Sequence, residues 1–286
     1  MVSARSAASR CCGLSGGYDP ALSGPAIPDR PPVTLILSDA ARFLVGSLSG
    51  AIIGSFLGAI VMRWPRGESV LRGRSKCDGC GRTLRAVELI PLVSAPLSRG
   101  RCRQCGASID PAHGVMELGA ALIGGLALWL LPFPAAILFA VAGWLLLTLA
   151  MLDARHLWLP DALTFPLAAL GLTLGDWVLP ASFPDRLIGA ALGYGLLFAI
   201  ALLYRRLRGR EGLGLGDAKL LGAIGAWLGW QLLPLVLLVA SVAGLVWALA
   251  LWLLGREIDG STRLPFGTFL CLAVVPAALL GAALAP

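Results

Sequence analysis

The chain has 286 residues, 57% of them hydrophobic and only 14% charged, with a mean hydropathy of +0.82 and a net charge of +7. Soluble globular chains carry about a quarter charged residues, so this composition excludes an ordinary soluble enzyme or binding domain. The apolar runs are continuous rather than alternating, which also excludes a membrane barrel and leaves helices as the spanning structure, because lipid offers a backbone no partners.

In chain order, residues 1–38 come first; they are rich in Gly, Ser, Ala and Pro, without helical periodicity. They are expected to form a disordered extension or to precede the true start. The first strong apolar run begins near Ala41, too deep for an ordinary secretory signal peptide. Runs suited to crossing ~30 Å of hydrocarbon, which takes about 20 helical residues, lie at 41–62, 115–132, 135–152, 160–179, 187–204, 218–231, 234–254 and 264–285. The sixth is short. This pattern predicts an all-α polytopic membrane protein of about eight transmembrane helices. Its parts are the extension 1–38, a first helix over 39–62, a loop over 63–114, and a membrane domain over 115–286.

Basic residues orient the chain. Ten lie between 63 and 103, and Arg205, Arg206, Arg208, Arg210 and Lys219 follow the fifth run. With Arg155, Arg256 and Arg263, eight spans put 18 of the 23 on one side, which is therefore expected to be cytoplasmic. The positive charge is thus a topology signal, and no nucleic-acid partner is needed to explain it.

The loop over 63–114 holds Cys77 and Cys80, then, after 21 intervening residues, Cys102 and Cys105. Four thiolates in two such pairs suit the tetrahedral preference of Zn²⁺. Gly81 and Gly106 let the chain turn tightly after each pair. Two disulfides or four free thiols are the alternatives, and a cytoplasmic location disfavours disulfides. With four sulfurs no position stays open for a reacting water, so the metal is structural, folding a loop too poor in apolar residues to build its own core. His113 would be a redundant fifth ligand, and Cys11, Cys12 and Cys271 have no evident role.

Ionisable residues in or beside membrane helices mark functional positions. Asp153 follows the third run, Asp161 follows Pro160 at the fourth, Asp217 opens the sixth after Gly214-Leu215-Gly216, and Glu117 lies early in the second. The predicted topology brings Asp153 and Asp217 to one membrane level. Two carboxyls held a few ångströms apart share a proton, as an aspartic peptidase requires. Gly214 and Gly216 remove side chains where an extended substrate backbone would approach. Asp161 and Asp217 read equally as helix caps. Lys219 either steadies the Asp217 region electrostatically or snorkels to the surface.

Several motifs then converge. Gly54-Ser55-Phe56-Leu57 with Arg63-Trp64-Pro65, Glu88-Leu89-Ile90-Pro91 and Arg99-Gly100-Arg101-Cys102-Arg103 stand in the first half. Glu117, Leu152-Asp153, Leu159-Pro160-Asp161-Ala162-Leu163-Thr164, Gly214-Leu215-Gly216-Asp217-Ala218-Lys219-Leu220 and Leu264-Pro265-Phe266-Gly267 follow. In order and spacing this set resembles the type IV prepilin peptidase family, including the pseudopilin peptidases of type II secretion. The resemblance covers residues 50–270, with departures at Gly58, Asp78 and the 113–117 stretch. It implies a bacterial inner-membrane enzyme that cuts the basic leader from prepilins or pseudopilins at the cytoplasmic face. It also implies N-methylation of the new terminus with S-adenosylmethionine. By the same resemblance Asp153 and Asp217 are the catalytic pair. Two rival classes are a polytopic transporter, against which no internal repeat is visible, and a non-catalytic assembly factor that docks through its zinc loop.

Overall fold

Ser38 accepts a hydrogen bond from the Ala41 N–H, and this N-cap starts the first membrane helix. The computed structural model describes residues 38–70, 75–209, 214–256 and 264–284. The extension through residue 37, with Cys11 and Cys12, and the basic residues Arg72, Arg74, Arg210 and Arg263 lie outside the described residues.

Among the described residues, eight helices occupy the eight apolar runs: α1 (Asp39–Arg63), α2 (Pro111–Leu130), α3 (Ala135–His156), α4 (Asp161–Leu174), α5 (Phe183–Arg208), α6 (Leu215–Leu228), α7 (Leu233–Leu253) and α8 (Phe266–Leu284). The described residues contain no strand beyond isolated bridges. Five helices, α1, α2, α3, α5 and α7, are long and apolar enough to cross a membrane. The expectation of eight spans is therefore met in number of helices but not in length. At 14 residues each, α4 and α6 reach about 21 Å, short of the ~30 Å hydrocarbon core.

The reason lies in α6, which is buried on every side from Ala218 to Leu228 apart from Lys219. A helix enclosed by other helices has no lipid thickness to match, so an all-round apolar sequence suffices at any length. It packs on α4 and α5, where the Trp227 indole N–H donates to the Leu167 carbonyl at 2.8 Å.

Two glycine seams bind helices in pairs. Along α1, a Cβ added at Gly46 or Gly50 would collide with the backbone of α2 at Gly124 or Ala120, and one at Gly54 would stand 2.6 Å from the Met116 carbonyl oxygen. In α5, Gly189 and Gly193 meet α6 at Gly225 and Leu221 in the same way. Membrane helices gain nothing by hiding from lipid, so close backbone approach between small residues does the holding. Next along the bundle, α3 joins the α1–α2 pair through Trp144, whose N–H donates to the Ala120 carbonyl at 3.0 Å.

Arg186, only 2% exposed, is the largest buried side chain. Its guanidinium donates to the Ala181 carbonyl through Nε at 2.9 Å and Nη2 at 2.6 Å, and to the Gly171 carbonyl at 3.1 Å, with Asp176 at 3.3 Å. This buried guanidinium thus fastens the end of α4 to the turn that leads into α5.

Candidate active site and metal centre

The C-terminal end of α3 and the N-terminal ends of α4, α6 and α8 gather at one end of the bundle. Leu157 closes α3 in the left-handed region, φ 50°, and its N–H bonds back to the Asp153 carbonyl. Pro160 then fixes the entry to α4. This turn leaves Asp153 on the last turn of α3, 5% exposed, and Asp217 on the first turn of α6, 8% exposed.

The two carboxyls meet at Gly267. A Cβ built there would stand 3.0 Å from Asp217 Oδ1 and 3.1 Å from Asp153 Cγ. Those two atoms are therefore no more than about 6 Å apart, although 64 residues separate them in sequence. Any side chain at Gly267 would push into the gap. The start of α8 also supplies donors. Thr268 N–H donates to Asp153 Oδ2 at 2.7 Å, and the Thr268 hydroxyl lies 3.1 Å from the same oxygen and 3.0 Å from the Ala150 carbonyl. The Gly267 N–H faces both carboxyls, and the Gly214 N–H faces Asp217. Asp217 Oδ2 thus lies close to Gly214, the N-cap of α6, while Oδ1 faces its partner across Gly267.

The other residues singled out from sequence fall differently. Asp161 does not cap α4: Pro160 is the N-cap, and Asp161 accepts from Lys219 Nζ at 2.7 and 2.8 Å. Lys219 also lies 5.7 Å over the Phe165 ring. Among the described residues, Gly214 has only Asp217 Oδ2 and the Gly216 amide near the position of a Cβ. At Gly216 the space is filled by Leu159, 3.0 Å from where a Cβ would be, so its bareness serves packing of the α3–α4 turn on α6. Glu117 is buried and accepts the Leu92 N–H at 2.8 Å, pinning a residue with φ 61° in the 63–114 loop onto α2. Sequence reasoning passed over Thr268; its only signal is its place directly after the Leu264-Pro265-Phe266-Gly267 motif.

The loop between α1 and α2 contains two copies of one turn. Cys77 N–H bonds the Arg82 carbonyl and Gly81 N–H the Cys77 carbonyl; 25 residues on, Cys102 N–H bonds the Ala107 carbonyl and Gly106 N–H the Cys102 carbonyl. Gly81 and Gly106 adopt φ of 70° and 72°, as the tight turns demand. The four sulfurs of Cys77, Cys80, Cys102 and Cys105 lie within 4.8 Å of one another, with Cys77 and Cys105 3.8 Å apart. Four thiolates about 2.3 Å from a tetrahedral Zn²⁺ are about 3.8 Å from each other, so this cluster could hold zinc. His113 is not among them. The backbone N–H groups of Cys105 and Gln104, with the Arg82 guanidinium, hold the Cys102 thiol down at about 6, which favours the ligating thiolate. Arg82 also grips Glu88, Nη1 to Oε2 at 3.0 Å, and its guanidinium with the Arg85 N–H keeps that carboxyl at about 2.

Losing one sulfur should unravel the turn it anchors. Cys102→Ser is expected to lower bound zinc from about one ion per chain to a small fraction of that, and to open residues 75–109 to protease. Metal analysis by mass spectrometry and limited proteolysis of the purified protein read the two effects. Full zinc content in the variant would remove Cys102 from the ligand set.

Asp110 joins this loop to the helix bearing Asp153. As N-cap of α2 it accepts from Ala112 N–H at 2.9 Å, and it takes the Arg155 guanidinium at 2.8 and 2.7 Å. Arg155 beside it, with the Ala112 N–H, holds the Asp110 carboxyl at about 2.

Comparison with known proteins places the chain in a family. The type IV leader peptidase family matches residues 140–249, and the bacterial Peptidase A24 N-terminal domain matches residues 48–131. A prepilin leader peptidase/N-methyltransferase of Stutzerimonas stutzeri is 34% identical over 275 residues, covering 87% of this chain and 95% of that protein. One from Pseudomonas aeruginosa is 35% identical over 250 residues, covering 79% and 86%. One from Aeromonas hydrophila is 41% identical over 204 residues, covering 70% and 69%. No solved structure matches the chain. The first match takes in α3 through most of α7, and the second takes in the cysteine loop with the helices on either side. With relatives 34–41% identical that cover 70–87% of its length, the chain belongs to the type IV leader peptidase family.

Proposed function

We propose that the protein is an inner-membrane aspartic endopeptidase that removes the leader from type IV prepilins or type II secretion pseudopilins at the cytoplasmic face, and that it N-methylates the new terminus. The meeting of Asp153 and Asp217 at Gly267 carries the peptidase reading. Both acids are buried at one end of the bundle, the end from which the basic loop over 63–103 projects.

Chemistry follows from the pair. The carboxyls share one proton, and their titration belongs to the pair rather than to either residue. A water between them loses a proton to the ionised carboxylate as it attacks the scissile carbonyl, while the protonated partner hydrogen-bonds the carbonyl oxygen. Proton return to the leaving nitrogen then breaks the C–N bond. The Thr268 N–H and hydroxyl hold the Asp153 carboxylate, so little reorganisation of that group is needed on the way to the transition state. The zinc-binding cysteines play no part in bond cleavage. Their role is to fold the loop between α1 and α2.

The names of the relatives support prepilins as substrate and methylation as the second activity. Methylation implies S-adenosylmethionine, which supplies an electrophilic methyl group. A peptidase family disfavours the transporter and the inert assembly factor. Mass spectrometry of a prepilin co-expressed with the protein tests both activities together. Leader loss plus about 14 Da on the new terminus is the expected result. An uncut prepilin would refute the peptidase reading, and a cut but unmethylated one would refute the methyltransferase reading.

A further inference from the structure

The two acids are chemically alike, but their surroundings differ. Asp153 Oδ2 takes the Thr268 N–H at 2.7 Å, and the Thr268 hydroxyl lies 3.1 Å from the same oxygen. Both donors come from the first turn of α8, where amides have no partner within the helix. An amide can only donate, and 2.7 Å is the short length found when the acceptor is ionised. The hydroxyl is also 3.0 Å from the Ala150 carbonyl, so it shares one proton between that carbonyl and Asp153.

Asp217 is placed otherwise. The Gly267 N–H faces both carboxyls and favours neither, which leaves Asp217 the Gly214 N–H alone. Among the described residues no side chain donates to it. Charged groups nearby do not separate the two acids. Lys219 is engaged by Asp161 and Arg155 by Asp110, His156 is exposed, and the buried Cys271 thiol on α8 faces both. The helix ends act against this asymmetry, since Asp153 closes α3 while Asp217 opens α6. That field is weaker than a hydrogen bond to a charged group, and Asp153 also faces the N-terminal end of α8.

We propose that Thr268 fixes the roles within the pair: Asp153 is the ionised partner that receives the proton of the attacking water, and Asp217 carries the shared proton. Thr268 is a positioning residue, acting through Asp153 without touching substrate. The inference rests on the peptidase reading above. As the water oxygen bonds the carbonyl carbon, its O–H bond breaks toward Asp153, and the carbonyl pair moves onto oxygen, which takes the Asp217 proton. On collapse that oxygen returns its proton to Asp217 and the C–N bond breaks. Asp153 passes the water's proton to the leaving nitrogen, so both acids end as they began.

The test measures kcat/KM against pH for the purified, zinc-loaded full chain acting on a purified prepilin. Thr268→Val removes the hydroxyl, keeps the N–H and matches the shape; Thr268→Ala serves the same purpose should valine disturb packing. Ionised Asp153 then loses a donor, so the acid limb of the profile should move to higher pH by about one unit, about a tenfold loss of activity on that side. The alkaline limb, where Asp217 loses its proton with Asp153 already ionised, should stay where it is. Thr268→Ser regains the hydroxyl and should bring the acid limb back. Movement of the alkaline limb alone would reverse the two roles and overturn the proposal. An acid limb that does not move, or that serine fails to restore, would overturn it as well. So would a monodisperse, zinc-loaded Thr268→Val protein inactive at every pH, because a biased proton displaces activity in pH rather than destroying it. A wild type that cuts at no pH overturns the peptidase reading instead.

Discussion

Asp153→Asn and Asp217→Asn should each abolish leader removal, with a loss of about 10⁴-fold or more in turnover. The substitution is nearly isosteric, and an Asn amide oxygen at 153 still accepts the Thr268 N–H that holds the native carboxyl. Helix packing should therefore survive while the shared proton disappears. Because the two acids act as a unit, the double variant should be no worse than either single one. Processing of a co-expressed prepilin, followed at matched protein levels in the membrane fraction, measures the effect. More than about 1% of wild-type turnover in one variant would take that residue out of the pair.

A comparably large effect, on stability rather than chemistry, is expected at the seam between α1 and α2. Gly50→Leu places a branched side chain where even a Cβ collides with the Ala120 carbonyl. The neighbour is helix backbone, which cannot rotate away, so the helices must separate along several turns. Lost packing of this kind costs about 3 kcal/mol or more. The damage should spread, because the cysteine module hangs between these two helices and Trp144 ties α3 to the same carbonyl. Size-exclusion profiles in detergent should show aggregate in place of the monodisperse wild-type peak. Gly195→Leu is the matched control: nothing lies within 4 Å of a Cβ there, and the profile should not change. A monodisperse Gly50→Leu protein would mean that the seam does not hold the pair together.

The features legible in sequence are those that a run of residues can carry alone. Long apolar stretches locate the helices, because length and composition decide what a bilayer accepts. Paired cysteines with a following glycine locate the knuckles, because sulfur count and turn geometry are local. That Asp153 and Asp217 share a level followed from counting spans. Beyond this, sequence lacked the neighbours. Gly216 reads as an opening for substrate until Leu159 is seen against it, and Asp161 reads as a cap until Lys219 is seen to bind it. Arg186 looks like a loop charge, yet its guanidinium is sunk among carbonyls of α4 and the following turn. The α6 run was recognisable as short, but only its enclosure by other helices explains why shortness is tolerated. Thr268 carries no distinctive pattern because a backbone N–H, the same in every residue but proline, makes its shorter contact with Asp153.

The dependence of the acid pair on the start of α8, which supplies the Thr268 N–H and the bare Gly267 between them, has a bearing on biosynthesis. A ribosome delivers Asp153 and Asp217 to the membrane well before residues 267 and 268, so a partly made chain already owns both acids without the groups that align them. Cleaving power should thus arrive late and all at once, when the final hairpin docks, sparing neighbouring nascent proteins from a half-built protease.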